Sequence, residues 1–221
     1  MLAKSLINES VTPLRTSDTG NTALGLMEDY KVSHLPIVND VELLGLISDT
    51  DIFNMNNFDD PVGNHALSLT GVYVEEDEHI YDVIKAFAEH KLTLMPVVSD
   101  KNHYLGVITL QTLAGHLSTI TAVTNPGGII VLEVSEKDYS LQEIAMIVES
   151  NDAKVLSLYL SPVPDSTLLE ITLKINRIDI GSVLQTFHRY NYLVKASYSD
   201  KDLYNEGIRE RFDSLMNYLN I

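Results

Sequence analysis

Cysteine is absent from the chain, which excludes a disulfide framework, a thiolate metal site and a thiol nucleophile, and is compatible with a reducing compartment. Basic side chains are scarce: 15 stand against 31 acidic ones, for a net charge of −16, and no Lys/Arg run occurs. Both halves share the sign, with 17 acids and 6 bases in residues 1–118 and 14 and 9 in residues 119–221. Such a field repels duplex nucleic acid and anionic membrane surfaces, so neither is an expected partner. No apolar run approaches the roughly 20 residues that a membrane helix needs. The start, "MLAKSLINESV", meets Asn8 and Glu9 too soon for a signal peptide, so the expected location is cytoplasmic.

Enzymatic templates are missing as well. There is no glycine-rich phosphate loop, no dinucleotide fingerprint, no Gly-x-Ser-x-Gly elbow and no His-Glu-x-x-His pair. The seven histidines, at 34, 65, 79, 90, 103, 116 and 188, never meet an acidic partner at ligand spacing. The acidic run "EEDEH" (Glu75 to His79) lacks the alternating oxygen ligands and turn glycine of a calcium loop and reads as a solvated helix entrance. No catalytic residue, metal ligand or required cofactor is therefore expected.

What the chain does have is enough apolar side chain, 45%, for one large core or two ordinary ones, and an internal duplication. "NTALGLMEDYKVSHLPIVND" (Asn21 to Asp40) lies over "YDVIKAFAEHKLTLMPVVSD" (Tyr81 to Asp100) at an offset of 60. An added residue in the turn "DKNHY" brings Gly45 and Gly106 to 106 − 45 = 61. In each copy Ala23, Leu24, Met27 and Tyr30, or Val83, Ile84, Phe87 and His90, recur at helical spacing with one buried face. Two short strands and a second helix follow, so each repeat reads as strand, helix, strand, strand, helix. A unit this small is marginal alone, and the two are expected to pack together.

The stretch "NMNNFDDPVGNHALS" (54–68) reads as a connector and "TAVTNPGG" (121–128) as a domain boundary. Beyond it the order is strand "IIVLEV", a helix opened by the Ser140/Glu143 capping box, strands "KVLSLYL" and "LLEITLKI", a helix capped by Asp179, and strand "YLVKASY". The two helix faces, Leu141, Ile144, Ala145 and Val148 against Ile180, Val183, Leu184 and Phe187, match at an offset of 39, as in a doubled, ferredoxin-like βαβ unit. The final segment places Ile208, Phe212, Leu215, Met216 and Leu219 on one side of a helix, either laid over the preceding sheet or making a subunit contact.

Chemistry concentrates in "GLISDTDIF" (Gly45 to Phe53) and its copy "GVITLQTLA" (Gly106 to Ala114), where Asp51 becomes Thr112. One reading is local: Ser48 caps the helix and Asp51 completes a capping box, a device contributing about 1 kcal/mol. The other is a ligand grip. Free amides and a positive helix end suit a phosphate, the hydroxyl donates, and the carboxylate accepts from a vicinal diol.

Tandem units with an apolar strand running into Pro36 or Pro96, followed by Gly-hydrophobic-hydrophobic-Ser/Thr-x-x-Asp, resemble a pair of CBS domains, the Bateman module, over about residues 4–118. The resemblance implies an α/β (α+β) fold of two β-α-β-β-α repeats packed as a pseudo-symmetric pair, and a cleft for AMP, ADP, ATP or S-adenosylmethionine. It places Asp51 on the ribose hydroxyls, Ser48 near phosphate and the adenine on the strand before Pro. By that likeness one cleft joins Ser48 and Asp51 to Val72, Leu92, Thr93, Leu94 and Met95. A weaker one joins Thr109 and Thr112 to Val32, Ser33, His34 and Leu35. Lys31 and Lys91 stand just before the cleft strands, where an ammonium can meet phosphate or simply complement a helix end.

The later βαββαβ resembles an ACT domain, and the whole order is similar to acetoin-utilisation-type CBS-CBS-ACT proteins. Its first strand-to-helix turn, "SEKDYS", lacks the glycine usual in amino-acid-binding members. The expected domains are residues 1–58, 59–120, 127–200 and a terminal helix at 201–221. The expected function is a non-catalytic, homodimeric sensor of an adenosyl ligand, with a constitutive dimerisation scaffold bearing vestigial clefts as the alternative; the downstream partner is not named by the sequence.

Overall fold

Both repeats are built around an antiparallel hairpin fed by a helix that ends on a left-handed lysine. The computed structural model describes residues 1–199 and divides into two units between His116 and Leu117. The expected terminal helix at 201–221, with Ile208, Phe212, Leu215, Met216 and Leu219, lies outside the described residues.

In the first unit, α1 (Gly20–Tyr30) starts at Thr19, whose hydroxyl accepts from the Thr22 amide at 3.2 Å. It buries Ala23 and Met27 and stops at Lys31, φ 57°. The copy α3 (Ile80–His90) buries Val83 and Phe87 and stops at Lys91, φ 53°. Next come β1 (His34–Asn39) and β2 (Glu42–Ser48) in one repeat, β4 (Leu94–Val98) and β5 (Tyr104–Thr109) in the other, each an antiparallel pair. Each hairpin breaks register at the same place, between Ile37 and Val38 and between Val97 and Val98, opposite Gly45 and Gly106. The short α2 (Asp49–Phe53) and the longer α4 (Leu110–Ile120) complete the repeats.

The leading strand expected of the first repeat is not a strand. Only isolated bridges form there, Asn8 with Val107 and Leu14 with Ile37, because Pro13 between them has no amide to continue a ladder. Its counterpart in the second repeat is the two-residue β3 (Val74–Glu75), parallel to β4.

Those leaders are exchanged between repeats. The Asn8 amide donates to the Val107 carbonyl at 2.7 Å, and the Leu46 amide donates to the Leu69 carbonyl at 2.9 Å. The offsets agree, 69 − 8 = 61 and 107 − 46 = 61, so each repeat's leader crosses the other repeat's second strand. The close crossings require glycine. A Cβ on Gly45, φ 152°, would lie 2.9 Å from the Leu69 carbonyl oxygen, and one on Gly106, φ 150°, 2.6 Å from Cγ2 of Ile7. Each repeat therefore completes the other, which is the packing dependence that its small size predicts.

The second unit has β6 (Ile129–Ser135), α5 (Leu141–Glu149), β7 (Val155–Pro162), β8 (Leu168–Ile175), α6 (Gly181–Arg189) and β9 (Leu193–Tyr198). The sheet order β7-β8-β6-β9, antiparallel throughout, is that of the ferredoxin-like βαββαβ. Ile130, Leu132, Ile171 and Leu173 alternate inward from the central strands to meet Ile144, Val148, Val183 and Phe187. Leu141, expected on the apolar face of α5, is 52% exposed; it is the helix's first residue and lies one turn beyond the buried Ile144, Ile147 and Val148. The capping box expected there forms by half. The Ser140 hydroxyl accepts from the Glu143 amide at 3.3 Å, but the Glu143 carboxylate accepts from the Tyr192 hydroxyl at 2.8 Å instead of turning back. Asp179 is not the cap that the sequence suggests: Ile180 occupies the N-cap without a side-chain bond, and Asp179, one residue earlier, accepts from the Gly181 amide at 3.2 Å.

Candidate functional site

At the end of β2 the chain turns into α2, and Ser48 and Asp51 form the full capping box. The Asp51 amide donates to the Ser48 hydroxyl at 3.0 Å, and the Ser48 amide and hydroxyl donate to Oδ2 of Asp51 at 2.9 and 2.8 Å. A third donor reaches the same oxygen from the second repeat's leader, the Ser68 hydroxyl at 2.8 Å. Among the described residues no donor engages Oδ1. Burial acts to raise the Asp51 pKa, but the Ser48 and Ser68 hydrogen bonds and nearby His34 outweigh it and hold the carboxyl below the ordinary range.

His34 stands opposite Ser48 across the hairpin. Its Nδ1 lies 3.1 Å from the Thr93 hydroxyl, which also accepts from the Ser33 amide at 2.9 Å. Burial depresses the His34 pKa against the opposing pull of Asp49 and Asp51. His34 thus stands between the two ends, facing Ser48 across the hairpin and touching Thr93 on the wall of the Thr109 cavity.

At the corresponding turn from β5 into α4 the carboxylate is replaced by a hydroxyl pair. The Thr109 and Thr112 hydroxyls are 2.9 Å apart, and the Thr112 amide donates to Thr109 at 3.1 Å. Beside it lies a cavity of about 410 Å³, walled by Asn8, Ser10 and Val11 from the exchanged leader, Tyr30 to Val32 from the end of α1, and Thr93 and Thr109 from the second repeat. Lys31 is the one charged side chain on its wall. Its size suits a small ligand.

Of the residues expected in the first cleft, Val72 and Thr93 are partly exposed, whereas Leu92, Leu94 and Met95 are buried in the core. Of those expected in the second, Val32 and Thr109 line the cavity, Leu35 is fully buried, and Ser33 is turned toward Thr93. Thr93 itself lines the cavity at Thr109 rather than standing with Asp51. Ser68, Asn8, Ser10 and Tyr30 were not singled out from the sequence; extending the 61-residue offset upstream, which puts Leu69 over Asn8, is the signal that finds the leaders. Among the described residues no cluster of three or more His, Asp or Glu could hold a metal, and no helix is long and apolar enough to cross a membrane.

The family model for the CBS domain matches residues 3–55 and 68–119, the two repeats whose leaders cross. The first unit is a pair of CBS domains. Over 149 residues it is 22% identical to an inosine-5′-monophosphate dehydrogenase of Methanocaldococcus jannaschii, spanning 67% of this chain and 30% of that one. Over 123 residues it is 31% identical to the 5′-AMP-activated protein kinase subunit gamma-3 of Homo sapiens, spanning 50% and 24%. The chain thus covers no more than 30% of the length of either curated relative. Among solved structures, a CBS domain pair/ACT domain protein from Thermotoga maritima has 22% identity and a TM-score of 0.49, covering 54% of this chain and 98% of that one. CBSX2 of Arabidopsis thaliana in complex with AMP has 20% identity and a TM-score of 0.47, covering 54% and 97%.

Proposed function

We propose that the CBS pair is a non-catalytic regulatory module that binds an adenosyl ligand, AMP, ADP, ATP or S-adenosylmethionine, with Ser48 and Asp51 gripping the ribose. The observation that carries this reading is the Ser68 hydroxyl on Asp51. A hydroxyl donor already sits where a sugar hydroxyl would, and Oδ1 of the same carboxylate is left for the neighbouring one. A ligand that displaces Ser68 exchanges one hydroxyl for two and shifts the exchanged leader, which couples occupancy to how the repeats sit on each other. The kinase gamma-3 relative, named for an AMP-activated enzyme, supports an adenine nucleotide. With so few bases, a monophosphate or a zwitterionic adenosyl group suits the charge balance better than bare ATP.

The ferredoxin-like unit is read as an ACT-like domain, and the whole as a cytoplasmic homodimer without nucleic-acid or membrane partners. A constitutive dimerisation scaffold is the second reading, favoured by the capping box, which gives Ser48 and Asp51 a role within their own helix start. Native mass spectrometry and a thermal-shift panel with AMP, ATP and S-adenosylmethionine separate the two. The sensor gives a ligand-dependent mass increment and a rise in melting temperature. A dimer indifferent to all three at millimolar concentration means scaffold.

A further inference from the structure

Resting on the reading of the pair as an adenosyl-ligand module, we infer that its two clefts differ in what they read: the Thr109 cleft takes the base and phosphate of a nucleotide but does not read the sugar, so it accepts 2′-deoxynucleotides as readily as ribonucleotides. Three features lead there. The cavity exists at this turn, about 410 Å³, so no side chain has to leave before a ligand enters. Its wall contains no carboxylate, and the position that would supply one carries Thr112, whose hydroxyl is 2.9 Å from that of Thr109. A hydroxyl pair that satisfies itself in this way offers a vicinal diol no charged acceptor, and the charge-assisted component of sugar recognition is lost.

What remains suits the other two parts of a nucleotide. Lys31 is the single charged group on the wall, and its backbone is fixed by the left-handed cap of α1, whose amide donates to the Met27 and Glu28 carbonyls. An ammonium anchored at that end favours a phosphate. Leu110, half exposed on the wall, supplies apolar surface for a base, and Ser10, Thr93 and Thr109 supply hydroxyl donors to orient it. The polar side chains on this wall besides Lys31, those of Asn8, Ser10, Tyr30, Thr93, Thr109 and Gln111, are neutral, so none offers a 2′-hydroxyl a charged acceptor.

The test uses the full chain carrying Asp51→Ala, which silences the ribose grip of the first cleft, titrated calorimetrically with AMP and with 2′-deoxy-AMP. The two dissociation constants are expected to agree within about threefold, where a carboxylate reading the sugar would separate them by about tenfold or more. Lys31→Met in the same background is expected to abolish both. Thr112→Asp, which restores the capping-box carboxylate opposite Thr109, is expected to create a preference for AMP over the deoxynucleotide. A tenfold preference for AMP before that substitution overturns the inference. So does binding of AMP by the wild-type protein with none by Asp51→Ala, which leaves the sensor reading intact. Silence of the wild-type protein toward both nucleotides defeats the sensor reading itself and this inference with it.

Discussion

The two helix-start turns share one backbone and end differently. Ser48 and Thr109 both cap through their hydroxyls, and the first backbone amides beyond them, of Asp49 and Leu110, both donate to the carbonyl 3.0 Å away at Ser33 and Thr93. Only the first turn adds a carboxylate, and only there does the crossing leader add a hydroxyl to it. Ser68 in that leader corresponds to Ile7 in the other, 68 − 7 = 61. Thr112 lets the second turn close without a charge, and the cavity lies beside that turn, so the two turns are chemically unequal.

The comparison breaks most readily at its glycines. Gly45→Ala would put a side chain on a positive-φ backbone and press its Cβ against the Leu69 carbonyl oxygen at 2.9 Å, whereas at Gly106, with the same backbone, the obstacle at 2.6 Å is the Ile7 side-chain methyl Cγ2, which a shift of that side chain can relieve. Loss of about 3 kcal/mol is expected for the first and about 2 for the second by chemical denaturation. Equal losses would mean that the crossings are not what the glycines serve. Removing the caps is milder. Asp51→Ala should cost about 1 kcal/mol and Thr112→Ala about half that, because the Asp51 carboxylate accepts from three donors whereas the Thr112 side chain makes one hydroxyl contact.

The smallest expected effect is a pH dependence from His34, beside the Ser48/Asp51 turn. Burial holds the His34 pKa below its ordinary 6.5 while Asp49 and Asp51 pull the other way. The folded state therefore binds fewer protons than the unfolded one as the pH falls past that value. The stability contributed is whole above pH 6.5 and declines as pH drops toward the folded-state pKa. His34→Gln should flatten this part of the stability profile, and an unchanged profile would move its origin elsewhere.

Much of the architecture was legible because periodicity survives in sequence. The offsets of 60 and 61 placed both hairpins, and the matched faces of Val183 and Phe187 against Ile144 and Val148 gave the ferredoxin-like order. The leading strand of the first repeat was misread because pairing is a property of two segments: Pro13 and a partner in the other repeat reduce the stretch around Asn8 and Leu14 to bridges. The site was legible in its motif and not in its walls. Apolar character alone does not separate Leu94 and Met95, which are buried in the core, from Leu110, which is half exposed on the cavity wall. Nor does local sequence reveal that Ser68, 17 residues on, closes over Asp51.

The central claim is that Asp51 is held ready for a sugar and is not merely a cap. Isothermal titration of AMP into the wild-type protein and into Asp51→Ala tests it most directly, with folding of both checked by circular dichroism. The account predicts that the substitution removes one class of sites, weakening it by about tenfold or more. Superimposable isotherms from two folded proteins, or no heat from the wild type at millimolar AMP, would contradict it.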